Sequence, residues 1–111
     1  MLEKETYKSF NMNTFTTDVS ASKMNGTHLQ GYIETRYDHI VERLGEPKHT
    51  SGKTNVEWLI EFDDGLVASL YDWKLNACPR GPYRWHVGGH NDVVVSRLAA
   101  ILDVPYMQTP F

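Results

Sequence analysis

Two alternating apolar runs joined by a turn signal dominate the pattern of the chain. Val56-Glu57-Trp58-Leu59-Ile60-Glu61-Phe62 is followed by Asp63-Asp64-Gly65 and then by Leu66-Val67-Ala68-Ser69-Leu70-Tyr71. Alternation with a period of two around such a turn predicts a β-hairpin. Two registers fit it. A two-residue loop at Asp64-Gly65 pairs Phe62 with Val67 and Trp58 with Tyr71. A three-residue loop, with Gly65 in the left-handed position and a bulge, pairs Phe62 with Leu66, Ile60 with Ala68 and Trp58 with Leu70. The second is preferred. It gathers Val56, Trp58, Ile60, Phe62, Leu66, Ala68 and Leu70 on one face, the expected core. Glu57, Leu59, Glu61, Val67, Ser69, Tyr71 and Trp73 fall on the other, to be covered by the N-terminal segment or to present an interaction patch.

The pattern on either side completes a fold. Gly26 to Ile33 reads as a short strand interrupted at Gly31, where a bulge or a close backbone approach is expected. Tyr37, Ile40, Val41 and Leu44 recur at helical spacing, with Thr35 and Asp38 as a capping pair, Gly45 as the stop and Pro47 beyond it. Residues 48–55 are polar and read as a surface loop, and residues 74–82, carrying Pro79, Gly81 and Pro82, as an irregular connection. Tyr83 to Val87 alternates as a further strand, ended by Gly88-Gly89. Asn91 caps a second helix with the stripe Val94, Val95, Leu98, Ile101 and Leu102, closed by Pro105; the successive valines leave a strand as the alternative there. The order β-α-β-β-β-α predicts an α+β fold of two layers, an antiparallel sheet of about four strands with both helices on one face. Residues 1–25 show no regular period beyond a short strand around Thr14 to Val19 and read as a loosely structured arm. Residues 26–104 read as a single domain and 105–111 as a C-terminal tail.

Composition narrows the classes. A chain of 111 residues with 41% hydrophobic and 23% charged positions is one ordinary folded domain. A formal net charge of -3 disfavours nucleic acid as a partner and is too small for a mimic of its backbone. The lone Cys78 forms no intramolecular disulfide, so a reducing compartment fits. No apolar run approaches a membrane span, and residues 1–10 lack a signal-peptide core, so a cytoplasmic location is expected and no membrane.

The candidate chemistry is sparse. His86, His90 and Asp92 are metal-ligand types, but Gly88-Gly89 breaks the helix that would align the two imidazoles, and no metal or cofactor is expected. Gly88-Gly89-His90-Asn91 before a helix reads as a tight turn rather than a phosphate cradle, since Asp92 would repel the anion. Cys78 beside Arg80 has no partner spacing that marks a nucleophile. Asp63 and Asp64 read as turn residues. Trp58, Tyr71, Trp73, Tyr83 and Trp85 fall on strands expected to be neighbours. Most are read as packing, while Tyr71, Asp72, Trp73, Arg84, Trp85 and His86 are the candidate binding groove.

The succession Gly26-Thr27-His28-Leu29-Gln30-Gly31-Tyr32, Tyr37-Asp38 through Leu44-Gly45-Glu46-Pro47, Glu57-Trp58, Asp64-Gly65, Tyr71-Asp72-Trp73-Lys74 and Trp85-His86-Val87-Gly88-Gly89 resembles a family of small uncharacterised proteins of bacteriophages and other DNA viruses. The resemblance covers residues 26–102 and carries no established activity. A looser likeness, of helix, Leu44-Gly45-Glu46-Pro47 and strands, is to outer-membrane assembly lipoproteins, and bears on topology alone. For a small acidic domain without a catalytic constellation, the viral resemblance implies a non-enzymatic binding protein that engages a host or defence protein in the host cytoplasm. A small-ligand binder, nucleotides included, is the alternative, and a small enzyme using His86 comes third. A homo-oligomer is compatible with any of these. A flat aromatic patch would favour the protein partner, and a concave pocket with convergent polar groups the small ligand.

Overall fold

The hairpin adopts the three-residue turn. In the computed structural model, which describes residues 15–108, Phe62 N donates to Leu66 O at 2.8 Å and Gly65 N to Phe62 O at 2.9 Å. Gly65 sits at φ +91°, a left-handed conformation open to glycine at little cost. Strand β4 (Thr54–Phe62) therefore pairs with β5 (Val67–Tyr71) as Trp58 with Leu70, Ile60 with Ala68 and Glu57 with Tyr71. That register sends Trp58, Ile60, Phe62, Ala68 and Leu70 into the core and Tyr71 to the opposite face.

Among the described residues the fold is α+β, with two α-helices and an antiparallel sheet of seven strands, three more than the four expected. The remaining strands are β1 (Phe15–Thr16), β2 (His28–Thr35), β3 (His49–Ser51), β6 (Tyr83–Gly89) and β7 (Tyr106–Gln108). Their order across the sheet is β1-β4-β5-β6-β2-β7, and β3 also pairs with β4. The additional strands are short edge pieces without apolar alternation. Strand β3 forms from the polar stretch read as a loop, tied to β4 by Thr50 Oγ1 donating to Thr54 O at 2.8 Å and Ser51 N donating to Thr54 Oγ1 at 3.0 Å. Strand β7 forms from residues read as tail. The chain turns at Asp103, which sits at φ +58°, and β7 then lies along β2.

Gly88 and Gly89 are the last two residues of β6, paired with Leu29 and His28 of β2, rather than a turn that follows the strand. A Cβ on Gly88 would stand 2.7 Å from Ser69 Oγ, and one on Gly89 would stand 2.8 Å from Val94 Cγ2. The pair is there for close approach rather than for turning. Gly31 follows the same logic, since a Cβ there would collide with Met107 O, and the β2–β6 register shifts between Leu29 and Gly31, as a bulge requires.

Helix α1 (Tyr37–Leu44) and helix α2 (Val93–Leu102) bury their stripes in one core with Ile33, Trp58, Ile60, Leu70, Trp85 and Val87. The N-cap of α1 is Arg36 rather than Thr35, without a side-chain cap bond. Thr35 instead ends β2, and its carbonyl accepts from Trp85 Nε1 at 3.0 Å. Gly45 ends α1 at φ +86°, its N–H reaching Val41 O at 2.8 Å. In α2, Asn91 Oδ1 accepts from Val93 N at 3.0 Å, and burial of Val94 and Val95 outweighs their low helix propensity. Helix α1 also caps α2. Arg43 Nη1 donates to Ile101 O at 3.1 Å, and His39 Nε2 bonds Leu102 O, satisfying carbonyls with no intrahelical partner.

Of residues 1–25, those before Phe15 lie outside the described residues. The rest places β1 against β4 and a single 3₁₀ turn, Ala21–Met24, against β5. Lys23 Nζ reaches Glu61 Oε1 at 2.9 Å, and Leu59, Val67 and Ser69 on the non-core face are buried. This end of the second face is covered. No helix among the described residues is long and apolar enough to cross a membrane.

Candidate functional site

The end of the second face away from the 3₁₀ turn carries a row of side chains that crosses six strands. Directly opposed residues in a sheet share a face, and the pairs run His49 with Glu57, Glu57 with Tyr71, Tyr71 with His86, His86 with Tyr32 and Tyr32 with Met107. The three central rings touch. Tyr71 stacks on His86 with centroids 5.4 Å apart and planes 28° apart, and Tyr32 meets the other side of the imidazole edge-on at 5.1 Å. Trp73, just past β5, packs edge-on against Tyr71 at 6.0 Å. Leu29, Trp73 and Met107 are exposed large apolar residues, and the central rings are half-buried.

Local burial pushes His86, Glu57 and Tyr71 toward their neutral forms. The imidazole of His86 is held below the usual histidine range by burial, partly opposed by the charge of Asp72. Its Nδ1 is buried and has no hydrogen-bond partner. Burial raises the Glu57 carboxyl; nearby His49 pulls it down, and Asp72 pushes it up. Burial likewise raises the Tyr71 phenol, with Glu57 and Tyr32 adding to it. A desolvated row of this kind suits contact with a surface that brings little charge.

The six sequence-predicted residues divide. Tyr71, Trp73, Arg84 and His86 share the open face. Arg84 lies beside the row, its Nε 3.2 Å from Glu34 Oε2 and its guanidinium 6.0 Å from the Tyr32 centroid. Trp85 faces the other way, wholly buried in the core against Trp58 and Tyr83, because alternation puts it opposite His86 in orientation. Asp72 is wholly buried as well. Its Oδ1 accepts from Asn55 N at 2.7 Å and Val56 N at 3.2 Å, and its Oδ2 from Asn55 Nδ2 at 2.7 Å. It clasps the start of β4 to the end of β5 and so sets where Trp73 stands.

Tyr32, Glu57, His49 and Met107 join the row without having been chosen from the sequence. Alternation around Ile33 gave a signal for Tyr32; none existed for Met107, whose strand has no apolar period. Trp73 is flanked by Lys53 and Lys74, whose Nζ atoms lie 5.6 Å and 5.7 Å from its ring centroid. Away from the row the surface is indented. A cavity of about 360 Å³ adjoins the β3–β4 turn, with Thr50, Lys53 and Lys74 in its wall, and one of about 430 Å³ lies between α2 and Tyr106.

Other candidates have different surroundings. His90 is exposed, and no group of three or more His, Cys, Asp or Glu side chains is placed to hold a metal among the described residues. Burial raises the Cys78 thiol, with Arg80 opposing, which makes it a poor nucleophile at neutral pH. With Nδ1 unpartnered, His86 lacks the orienting group that a catalytic base normally has. No protein-family model, curated protein or solved structure matches the chain.

Proposed function

We propose that this chain is a non-enzymatic binding protein of two-layer α+β build that docks a protein partner on the open end of its second sheet face. The observation that carries this reading is the contiguous row from Glu57 through Tyr71, His86 and Tyr32 to Met107. It is broad and aromatic, and burial holds His86 and Glu57 toward their neutral forms. Tyrosine, tryptophan and arginine are the residue types that most often dominate protein interfaces, and the row with its rim supplies all three. The resemblance to small DNA-virus proteins favours, as the partner, a host or defence protein of the host cytoplasm.

The test is affinity capture from infected and uninfected host lysates with the full chain and with the double variant Tyr71→Ala/Met107→Glu. Both positions lie outside the main core cluster, so the variant is expected to melt within a few degrees of the wild type. A protein captured by the wild type and lost from the folded double variant supports the reading. Equal capture by both sinks it.

A further inference from the structure

We propose that the corner made by Trp73, Lys53 and Lys74 binds a free nucleotide, the indole stacking on the base and the two ammonium groups holding the phosphate. The site adjoins the protein-docking row, with Trp73 at the rim of both, while its two lysines lie outside the row. Trp73 is the exposed tryptophan of this chain, at 39%, whereas Trp58 and Trp85 are at 2% and 0%. An indole on a surface, with a lysine ammonium within 5.7 Å of its centroid from each of two segments, is an arrangement the core does not need. Neither lysine makes an ion pair among the described residues, while Lys23, Arg84 and Arg97 each have a carboxylate. Like charges gathered at one ring without a counter-ion favour an anion.

The corner is also fixed in shape. Lys74 is held at φ +56°, a conformation that residues with a Cβ seldom adopt. Its N–H is tied to Lys53 O at 2.8 Å, and the N–H of Trp73 is tied to Tyr83 Oη at 3.2 Å. Asp72, the residue before Trp73, is itself held to β4 by accepting from Asn55 N and Val56 N. Strain retained at a well-tied position is commoner at ligand sites than elsewhere. The same two lysines line the polar cavity of about 360 Å³, together with Thr50, Ser51 and Thr54. Space for a phosphate group therefore adjoins both ammonium groups, and a base stacking on the indole takes the place of a lysine over the ring.

The chemistry selects the ligand class. A phosphate monoester carries about -1.5 to -2 charges at neutral pH, which two unpaired ammonium groups match better than a single carboxylate does. Every nucleobase has a π-face that an indole can stack on, whereas an acidic peptide brings no such ring. A long single strand is disfavoured. Glu34, Glu57 and Glu61 share the adjoining sheet face, and the chain carries a net charge of -3, so further phosphates would be repelled.

Isothermal titration of the full chain with adenosine monophosphate, adenosine triphosphate, inorganic phosphate and a short oligothymidylate tests this. Binding of a nucleotide with quenching of tryptophan emission is expected, since the other two indoles are buried. Lys53→Gln/Lys74→Gln should weaken it by about tenfold or more, and Trp73→Leu by a similar factor, with unchanged circular dichroism in both. The lysine variant should still capture any protein partner of the row, so failure of one site is distinguishable from failure of the other. No binding of either nucleotide overturns the proposal, as does undiminished binding by the lysine variant. Affinity that survives loss of the indole, matches that of inorganic phosphate, or grows with oligothymidylate length overturns it equally.

Discussion

Replacing Asp72 by alanine should be among the most damaging single changes in this chain outside its apolar core. The carboxylate accepts three hydrogen bonds, from Asn55 N, Val56 N and Asn55 Nδ2, and it is wholly buried. Alanine leaves the two main-chain donors without an acceptor, while Asn55 Nδ2 keeps its second partner, Leu75 O, at 3.1 Å. A buried donor left bare costs about 1–3 kcal/mol, so the two together cost roughly 2–6 kcal/mol. Relief from burying a carboxylate returns part of this, leaving a net loss of about 3 kcal/mol. For a domain of this size that is a fall of roughly 12 °C in Tm. Asn in place of Asp keeps one acceptor for the main-chain donors but sets its amide against that of Asn55, so about half the loss is expected. Urea unfolding at pH 7, followed by far-ultraviolet circular dichroism and by fluorescence, measures both. A loss below about 1 kcal/mol for Asp72→Ala would mean that the clasp is incidental. Equal losses for Ala and Asn would mean that charge, not acceptor geometry, holds the two strands.

Three further outcomes follow from the same geometry. Gly88→Ala should cost about 1–3 kcal/mol, since its Cβ meets Ser69 Oγ, and Ser69→Ala in the same chain should recover most of it in denaturant titrations. Gly65→Ala meets no atom within 4 Å yet must hold φ +91°, so a loss of about 1 kcal/mol from backbone strain alone is expected, with the hairpin amide exchange pattern unchanged. For pH, His86 has a folded pKa below its unfolded one, so the unfolded chain binds the proton more readily and stability falls as pH drops below the ordinary histidine range. Glu57, with a folded pKa above its unfolded one, costs stability as pH rises above the ordinary carboxyl range. Urea midpoints from pH 4 to 8 should therefore rise in Glu57→Gln relative to wild type at neutral pH but not at the acid end, and fall less in His86→Gln between neutral pH and the acid end. Parallel curves for all three chains refute the assignment.

What the sequence revealed about the fold divides by the kind of interaction that forms each element. The hairpin and both helices were legible because apolar period is itself the cause of those elements: Trp58, Ile60 and Leu70 in one case, Ile40 and Leu44, or Leu98 and Leu102, in the other. The edge strands β3 and β7 were not, because main-chain pairing with an existing strand holds them and leaves no pattern in the side chains. Gly88-Gly89 misled for a related reason. The same residue type serves a turn and a close approach, and only the position of Ser69 and Val94 tells which. At the candidate site, alternation placed Tyr71 on the second face, and the structure pairs it there with His86. The same rule, applied along β6, puts Trp85 in the core beside the residue it was grouped with. Asp72 shows the limit of reading polar residues as surface contacts, since its partners, Asn55 and Val56, lie across a hairpin.

Both candidate surfaces trace back to the turn at Asp63-Asp64-Gly65. A two-residue loop would shift the pairing by one and set Trp58 opposite Tyr71, so that the two rings shared a face. Trp58 would then lose its place between Trp85 and Tyr37, or Tyr71 its place beside His86. Either loss is larger than the strain of one glycine at φ +91°. The observed turn is therefore selected by the contrast between the two faces, one wholly apolar and one mixed. The same contrast makes the second face available: the 3₁₀ turn and Lys23 cover its Glu61 end, and the Asp72 clasp holds the other end open with Trp73 at its rim. The end of β5 at Tyr71 and the two residues after it thus take three tasks: a ring in the row, a buried acceptor that fixes the strand end, and an exposed indole with two lysine ammonium groups close to its ring.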